Sequence, residues 1–412
     1  MSEPIRPSQP QCYLQRSAGT ALTAGTLLTQ AGRAFPRETG KRIRLGIVGG
    51  GFGASFWWHE HPGCTVTGVT DLYPERRERL KQRYRCNTVY DSLETMIREA
   101  DDIDAVAVFT GVPDHARHAK MCMERGWHVI VACPACMTLE EAALLKEVKE
   151  RTGLKYMLAE SSWYRQECIF ARNLYREGGF GELFYTETEY YHDGGDPDRR
   201  VNNIGSLVYN PDGTRSWRWG FPPMLYVTHN TGFLVGVTGE RVVKVSCLGW
   251  ASEQPKLKHH RLRTENVYGN PYWNQMALMQ TDREHMSRCN LLWRCVAGGE
   301  RAQWFGDGAT FYMVNSSVSP NALRSRGEGA KRVDVPRYWR TSEMLPEAMR
   351  HDSGHGGSAV FLCAEFINAL LEDREPEIDL YESLAMTVPG IVANESSLKD
   401  GEQLPVPQFD RE

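Results

Sequence analysis

Between Ile43 and Ala159, apolar runs of strand length alternate with amphipathic segments of helix length. The runs are Ile43–Val48, Val66–Val69, Ile103–Phe109, Trp127–Ala132 and Lys155–Ala159. Most are nearly continuous in apolar residues, the pattern of strands covered on both faces. Between them, Glu75–Tyr84, Ser92–Ala100, His115–Arg125 and Leu139–Arg151 read as helices, the last ended by Gly153. Such alternation predicts a doubly wound parallel sheet. Beyond Glu160 one more helix, Ile169–Arg176, precedes longer runs that include polar and apolar alternation: Leu183–Tyr191, Val242–Leu248, Asn274–Gln280, Met286–Val296, Arg301–Phe305 and Thr310–Val314. These predict an open, largely antiparallel sheet with one covered face. Asp193–Pro223, rich in Gly, Pro, Asp and Arg, reads as an extended loop, and Ala359–Leu371 as an apolar helix. Three segments follow: an N-terminal arm or decayed signal-like segment at 1–40, an α/β domain at 41–160 and an α+β domain at 161–412. A cleft between the last two is the expected site of chemistry.

Composition narrows the partners. The chain has 412 residues and a formal charge of −4 with scattered Lys and Arg, which excludes nucleic acid as an expected partner. No apolar run approaches the roughly eighteen residues of a membrane helix. Eleven cysteines without regular spacing read as reduced thiols in a cytoplasmic protein. Cys133-Pro-Ala-Cys136 lacks a second ligand pair and is read as structural rather than as a redox or zinc motif, and Asp352 with His355 lacks a third ligand, so no metal is expected. Gln15–Ala34 resembles the weakly apolar core of an export signal, yet only Arg16 stands where two arginines belong.

The first two strands frame Gly49-x-Gly51-x-x-Ala54 and Asp71. Gly49 permits a tight turn, Gly51 lets backbone approach a pyrophosphate, Ala54 lets a following helix pack, and that helix offers free N–H groups to an anion. Asp71 is placed to accept from ribose hydroxyls, which favours NAD over NADP. Arg76 and Arg77 keep NADP open, since they suit a 2′-phosphate or an exposed helix face equally.

From about Arg42 onward the chain resembles the Gfo/Idh/MocA oxidoreductases, on Gly49-Gly-Gly-Phe-Gly-Ala54, Asp71, Val106-Ala-Val-Phe-Thr-Gly-Val-Pro-Asp-His115 and Val129-Ile-Val-Ala-Cys-Pro134. The resemblance implies a Rossmann-type domain followed by the open-sheet domain, NAD or NADP as cofactor, and sugars or other polyols as substrates. It places Gly49, Gly51, Phe52, Ala54, Asp71, Thr110, His115 and Cys133 around the cofactor. His115 is left either as a helix residue touching cofactor or solvent, or as a direct participant in catalysis. Where the family usually carries Glu-Lys-Pro, this chain has Ala132-Cys133-Pro134, and a thiol cannot present an ammonium to an alkoxide. Tyr226-Val-Thr-His229 resembles instead the Tyr-Pro-Thr-His signature of the NAD-dependent α-N-acetylgalactosaminidase-type glycosidases. That branch implies Tyr226, His229 and Glu160 as catalytic residues, and its His-Gly-Gly turn corresponds to His355-Gly356-Gly357.

Tyr190 and His192 end a strand and are candidate substrate contacts, and Trp217 and Arg218 either meet a sugar or pack their loop. His355 is either a substrate contact or part of a helix cap. Three functions follow. The first is an NAD(P)-dependent oxidoreductase acting on a carbohydrate ring hydroxyl at C3. The second is a glycosidase or lyase working through a transient 3-keto sugar, and the third is a non-catalytic NAD-binding sensor. A small sugar or glycoside is the expected ligand, and the second sheet is the expected surface for a homo-oligomer.

Overall fold

The computed structural model describes residues 40–192, 209–210, 212–251, 266–295, 297–313 and 320–411. The expectations for 1–39, for most of the loop after His192, and for Val296 and Val314 lie outside the described residues. The first half holds β1 (Ile43–Val48), α1 (Gly50–Gly53), β2 (Cys64–Thr70), α2 (Pro74–Tyr84), β3 (Val89–Tyr90), α3 (Leu93–Glu99), β4 (Ala105–Val108), α4 (His115–Glu124), β5 (His128–Val131), α5 (Leu139–Thr152) and β6 (Tyr156–Leu158). Its six strands are parallel in the order β3-β2-β1-β4-β5-β6, which reverses direction between β1 and β4. Ligands of such sheets bind at that crossover, outside the carboxyl ends of the strands. Local chemistry sets the ends of α5: Thr138 Oγ1 accepts from Glu141 N–H at 3.2 Å, Glu141 reaches back to Met137 N–H at 2.7 Å, and Gly153 closes the helix at φ 66°.

The segment after the glycine turn departs from expectation. A helix of full length was expected to follow Gly49, but α1 is a single turn, succeeded by a 3₁₀ turn at Trp58–Glu60. The cause lies in Phe56-Trp-Trp58 and Pro62. Phe56 stacks on Phe109 with ring centroids 4.3 Å apart and on Trp58 at 5.7 Å, both rings being fully buried, and Pro62 cannot continue a helix. Side-chain burial there wins over helical propagation.

The second half adds α6 (Gln166–Arg176), β7 (Leu183–Tyr191), α7 (Thr228–Thr238), β8 (Val242–Trp250), β9 (Asn274–Thr281), β10 (Met286–Leu292), β11 (Gly299–Gly306), β12 (Ala309–Tyr312), β13 (Ala322–Ser325), β14 (Lys331–Arg332), α8 (Ser358–Leu371), α9 (Leu380–Leu398) and β15 (Leu404–Pro405). Its nine strands run β14-β13-β12-β11-β7-β10-β9-β8-β15. Every pairing is antiparallel except β7 with β10, so the sheet is mixed, with one parallel seam at its centre. The helices α8 and α9 lead back toward the first sheet: His61 Nε2 meets Asn368 Oδ1 at 3.0 Å, and Leu158 N–H donates to Ile378 O at 3.0 Å. Among the described residues no helix is long and apolar enough to cross a membrane.

Candidate active site

Four chain segments converge beyond the ends of β1, β4, β5 and β6. At the first, Gly49 takes φ 99°, and a Cβ there would lie 2.3 Å from Phe109 O. Only glycine accepts both the backbone angle and the contact. Gly51 is exposed, and a Cβ on it would meet nothing nearer than 3.7 Å, so the turn presents open backbone. Phe52 is 39% exposed beside it, and Ala54 packs below. Asp71 accepts from Gly50 N–H at 2.7 Å and Tyr73 N–H at 2.8 Å, leaving each carboxylate oxygen a lone pair for a ribose hydroxyl. The single-turn α1 supplies little helix dipole; Arg79 lies close instead, donating to Gly51 O at 2.7 Å. Arg77 is engaged with Asp71 O at 3.0 Å and Asp91 at 3.3 Å, and Arg76 lies over the Tyr73 ring.

The turns after β4 and β5 are tied together by His115. Its Nδ1 lies 2.8 Å from Pro134 O and its Nε2 3.2 Å from Thr110 O, and the ring is buried. Burial lowers its pKa, and the neutral ring carries a single N–H, which donates to one of the two carbonyls while the other nitrogen lies beside the second. It positions two turns and has no face left for reacting atoms. Thr110 is half-buried, its hydroxyl 2.9 Å from His118 Nδ1. Cys133 is buried and donates to Ala159 O at 3.3 Å, and burial pushes its thiol well up, so no thiolate forms where the resemblance expects an ammonium.

Behind these turns lies the ionic centre. Glu160, at the end of β6, accepts from Ser162 N–H at 2.8 Å and lies 2.7 Å from His229 Nδ1. Gly232 in α7 makes that approach possible, since a Cβ there would stand 2.1 Å from Ser162 Oγ. Burial alone pushes the Glu160 carboxyl up, but the His229 charge and hydrogen bond overcome it and bring it down to about 2. Reciprocally, burial lowers His229, while Glu160 and then Glu300 outweigh it and raise its pKa. Tyr226 closes the 3₁₀ turn Pro223–Tyr226, one step before α7, and its ring lies 5.2 Å from that of His229. Burial pushes its phenol up to about 12 against the pull of Arg218.

The predicted substrate contacts gather around this pair. The Tyr190 ring lies 4.6 Å from His229 and 4.4 Å from His192. Arg218 lies over Trp217, whose ring packs on Gly111 in the turn after β4. His355 is exposed, 5.7 Å from the Phe52 ring, so the His-Gly-Gly turn faces the glycine turn.

Sequence reasoning missed Arg165, Glu300 and Trp293. Arg165 holds Glu300 through two bonds of 3.0 and 2.8 Å, a part-buried ion pair whose members are 135 positions apart. The register of β11 on β7 sets Glu300 opposite Tyr190, a signal invisible before the strands are paired. Glu300→Gln removes one of the charges that raise His229 and frees Arg165, which lowers it. The acid limb of the pH–rate profile is expected to move to lower pH, with a stability loss of about 1–3 kcal/mol for the lost charge-assisted bond, measured by thermal unfolding. An unmoved limb would show that Glu300 does not act on His229.

Residues 43–160 match the family described as oxidoreductase family, NAD-binding Rossmann fold, and residues 274–412 match the glycosyl hydrolase 109 C-terminal domain. A glycosyl hydrolase family 109 protein of Saccharopolyspora erythraea is 24% identical over 405 residues, covering 91% of this chain and 84% of the relative. A protein of the same description from Solibacter usitatus is 25% identical over 434 residues, covering 96% and 94%. Among solved structures, scyllo-inositol dehydrogenase from Lactobacillus casei with bound NAD(H) and scyllo-inositol superposes with a TM-score of 0.65 at 18% identity, covering 89% of this chain and 99% of that one. At that identity the likeness concerns the fold.

Proposed function

We propose, for a chain that joins the NAD-binding Rossmann domain of the Gfo/Idh/MocA oxidoreductases to the C-terminal domain of glycosyl hydrolase family 109, that it cleaves a glycoside through transient oxidation of the sugar at C3. The observation that carries this reading is the Glu160–His229–Tyr226 cluster beside a neutral thiol at Cys133. NAD supplies the oxidant for the ring carbinol and, in a redox-neutral cycle, returns the electrons. Gly49, Gly51, Phe52, Ala54, Asp71 and Thr110 would hold it, the turn at Cys133 would border it, and 41–160 would be the unit that carries it.

In this reading Tyr226 and His229 handle the hydroxyl proton. His229 titrates above its ordinary range because Glu160 stabilises its charged form, so the pair stores a proton and returns it. Arg218 pulls on the Tyr226 phenol and favours its ionised form as the proton leaves. Oxidation at C3 would acidify the neighbouring C2–H; its loss to a second base would expel the C1 substituent by elimination, after which water would add at C1, C2 would regain a proton, and the hydride first taken from C3 would return to it. An ordinary glycosidase needs two carboxyl groups flanking the bond instead. Arg218, Trp217 and His355 line the approach.

A net sugar dehydrogenase is the second reading, favoured by the fold shared with scyllo-inositol dehydrogenase. We further propose a homo-oligomer through the outer face of the second sheet, where Leu248, Met276, Leu278 and Met286 stand exposed. Incubation with NAD⁺ and a panel of aryl glycosides and free sugars tests the enzymatic readings. Aglycone release without net NADH is the expected result. NADH accumulation supports the dehydrogenase, and silence in both signals with NAD bound would leave a sensor.

A further inference from the structure

We propose that His192 and Trp293 form a hydroxyl-binding wall of the cleft that selects an uncharged polyol ring for the Tyr226–His229 pair. The inference rests on the carbohydrate reading above and adds the recognition element that this reading lacks. The parallel seam builds it. Tyr191 of β7 pairs with Leu292 of β10, and His192 N–H donates to Leu292 O at 2.8 Å, so the residues that follow leave neighbouring strand ends side by side. Their rings lie nearly parallel, with centroids 5.8 Å apart and planes at 13°. Both rings touch Tyr190, and Trp293 lies 5.8 Å from the Tyr226 ring, so the wall adjoins the redox pair.

The polar atoms of this wall are unsatisfied. Both ring nitrogens of His192 and the indole nitrogen of Trp293 are buried without a hydrogen-bond partner among the described residues. His192 itself is 9% exposed. Buried histidines elsewhere in the fold are engaged, His115 with a backbone carbonyl and His61 with Asn368. Three unpartnered atoms in one aromatic cluster beside a catalytic pair therefore point to a ligand.

Chemistry names its class. Burial holds His192 down to about 4, so its imidazole is neutral and offers one N–H and one lone pair, while Trp293 offers an N–H alone. A hydroxyl both donates and accepts, and it completes this set. A carboxylate or phosphate accepts only, and would face the imidazole lone pair with a second one.

The test uses the full chain loaded with NAD and aryl glycosides of glucose and galactose, with their N-acetylamino forms and the matching uronides. His192→Phe keeps a stacked ring without nitrogens and is expected to raise KM about tenfold or more, the loss of a buried hydrogen bond. NAD affinity is expected to stay unchanged, His192→Asn to restore part of the loss, and Trp293→Phe to raise KM as well. Uronides are expected to bind more weakly than neutral glycosides in the unsubstituted protein only. An unchanged KM in His192→Phe, or equal binding of uronides, would overturn the wall while leaving the redox reading intact. No turnover of any glycoside or sugar by the unsubstituted protein would remove that reading and the wall together.

Discussion

Replacing His229 by alanine is expected to lower turnover by about 10²–10⁴-fold while NAD still binds, as for loss of a proton-transfer group. Aglycone or NADH release measures the first effect, and titration of NAD against intrinsic tryptophan fluorescence the second. The residue sits on α7, whereas the glycine turn lies on the first sheet, so the two functions separate. Unimpaired turnover would overturn the assignment of His229. The substitution also leaves Glu160 as an unpaired buried carboxylate, which links the pair to stability. Glu160 is held at about 2, below its ordinary 4.5, so its contribution is present above the unfolded value and is lost as pH falls through about 2. His229 is raised above its ordinary 6.5, so its contribution is complete below 6.5 and is lost as pH rises through the folded value. In His229→Ala the His229 dependence is expected to vanish and that of Glu160 to reverse, because burial alone raises its carboxyl and stability is then lost as pH rises through the carboxylate range; unfolding followed across pH checks it.

Gly49→Ala is expected to abolish NAD binding and to destabilise the first domain by about 3 kcal/mol, from a backbone angle costly to any side chain and from overpacking. A Cβ 2.3 Å from Phe109 O cannot be relieved by a rotamer change, because the obstacle is backbone. Gly51→Ala separates folding from binding. Its Cβ would meet nothing closer than the Arg76 guanidinium at 3.7 Å, an ordinary contact, so the melting temperature is expected to hold while NAD affinity falls. Retained affinity in Gly51→Ala would mean that the cofactor does not approach this turn.

The parts of this molecule that could be read residue by residue are those whose cause is local. Five of the six strands of the first sheet follow from apolar runs, the two-residue edge strand β3 being too short to show one, the end of α5 from Gly153, and the glycine turn from Gly49 and its flanking strands. Tyr226 and His229, three positions apart, flank a 3₁₀-to-α transition, and their rings lie 5.2 Å from each other. The helix expected after the glycine turn is cut to one turn because Phe56 packs on Phe109, just past β4, and Trp58 on Phe366 of α8, so their packing outweighs helical propagation. His115 was legible as a residue at a helix start, while the two carbonyls beside its ring belong to separate turns.

Periodicity and turn chemistry act over a few residues, and they determine the alternating strands and helices, the nucleotide turn and the candidate residues one at a time. The bond between Glu160 and His229, the Arg165–Glu300 pair and the seating of His192 beside Trp293 require segments 69, 135 and about a hundred positions apart to meet. Their meeting depends on the packing of α7, through Gly232, against the Glu160–Ser162 segment after β6, and on the parallel seam of β7 with β10. Those contacts set charge and leave polar atoms unpartnered, and burial gives them their strength, so only the closed tertiary structure decides them.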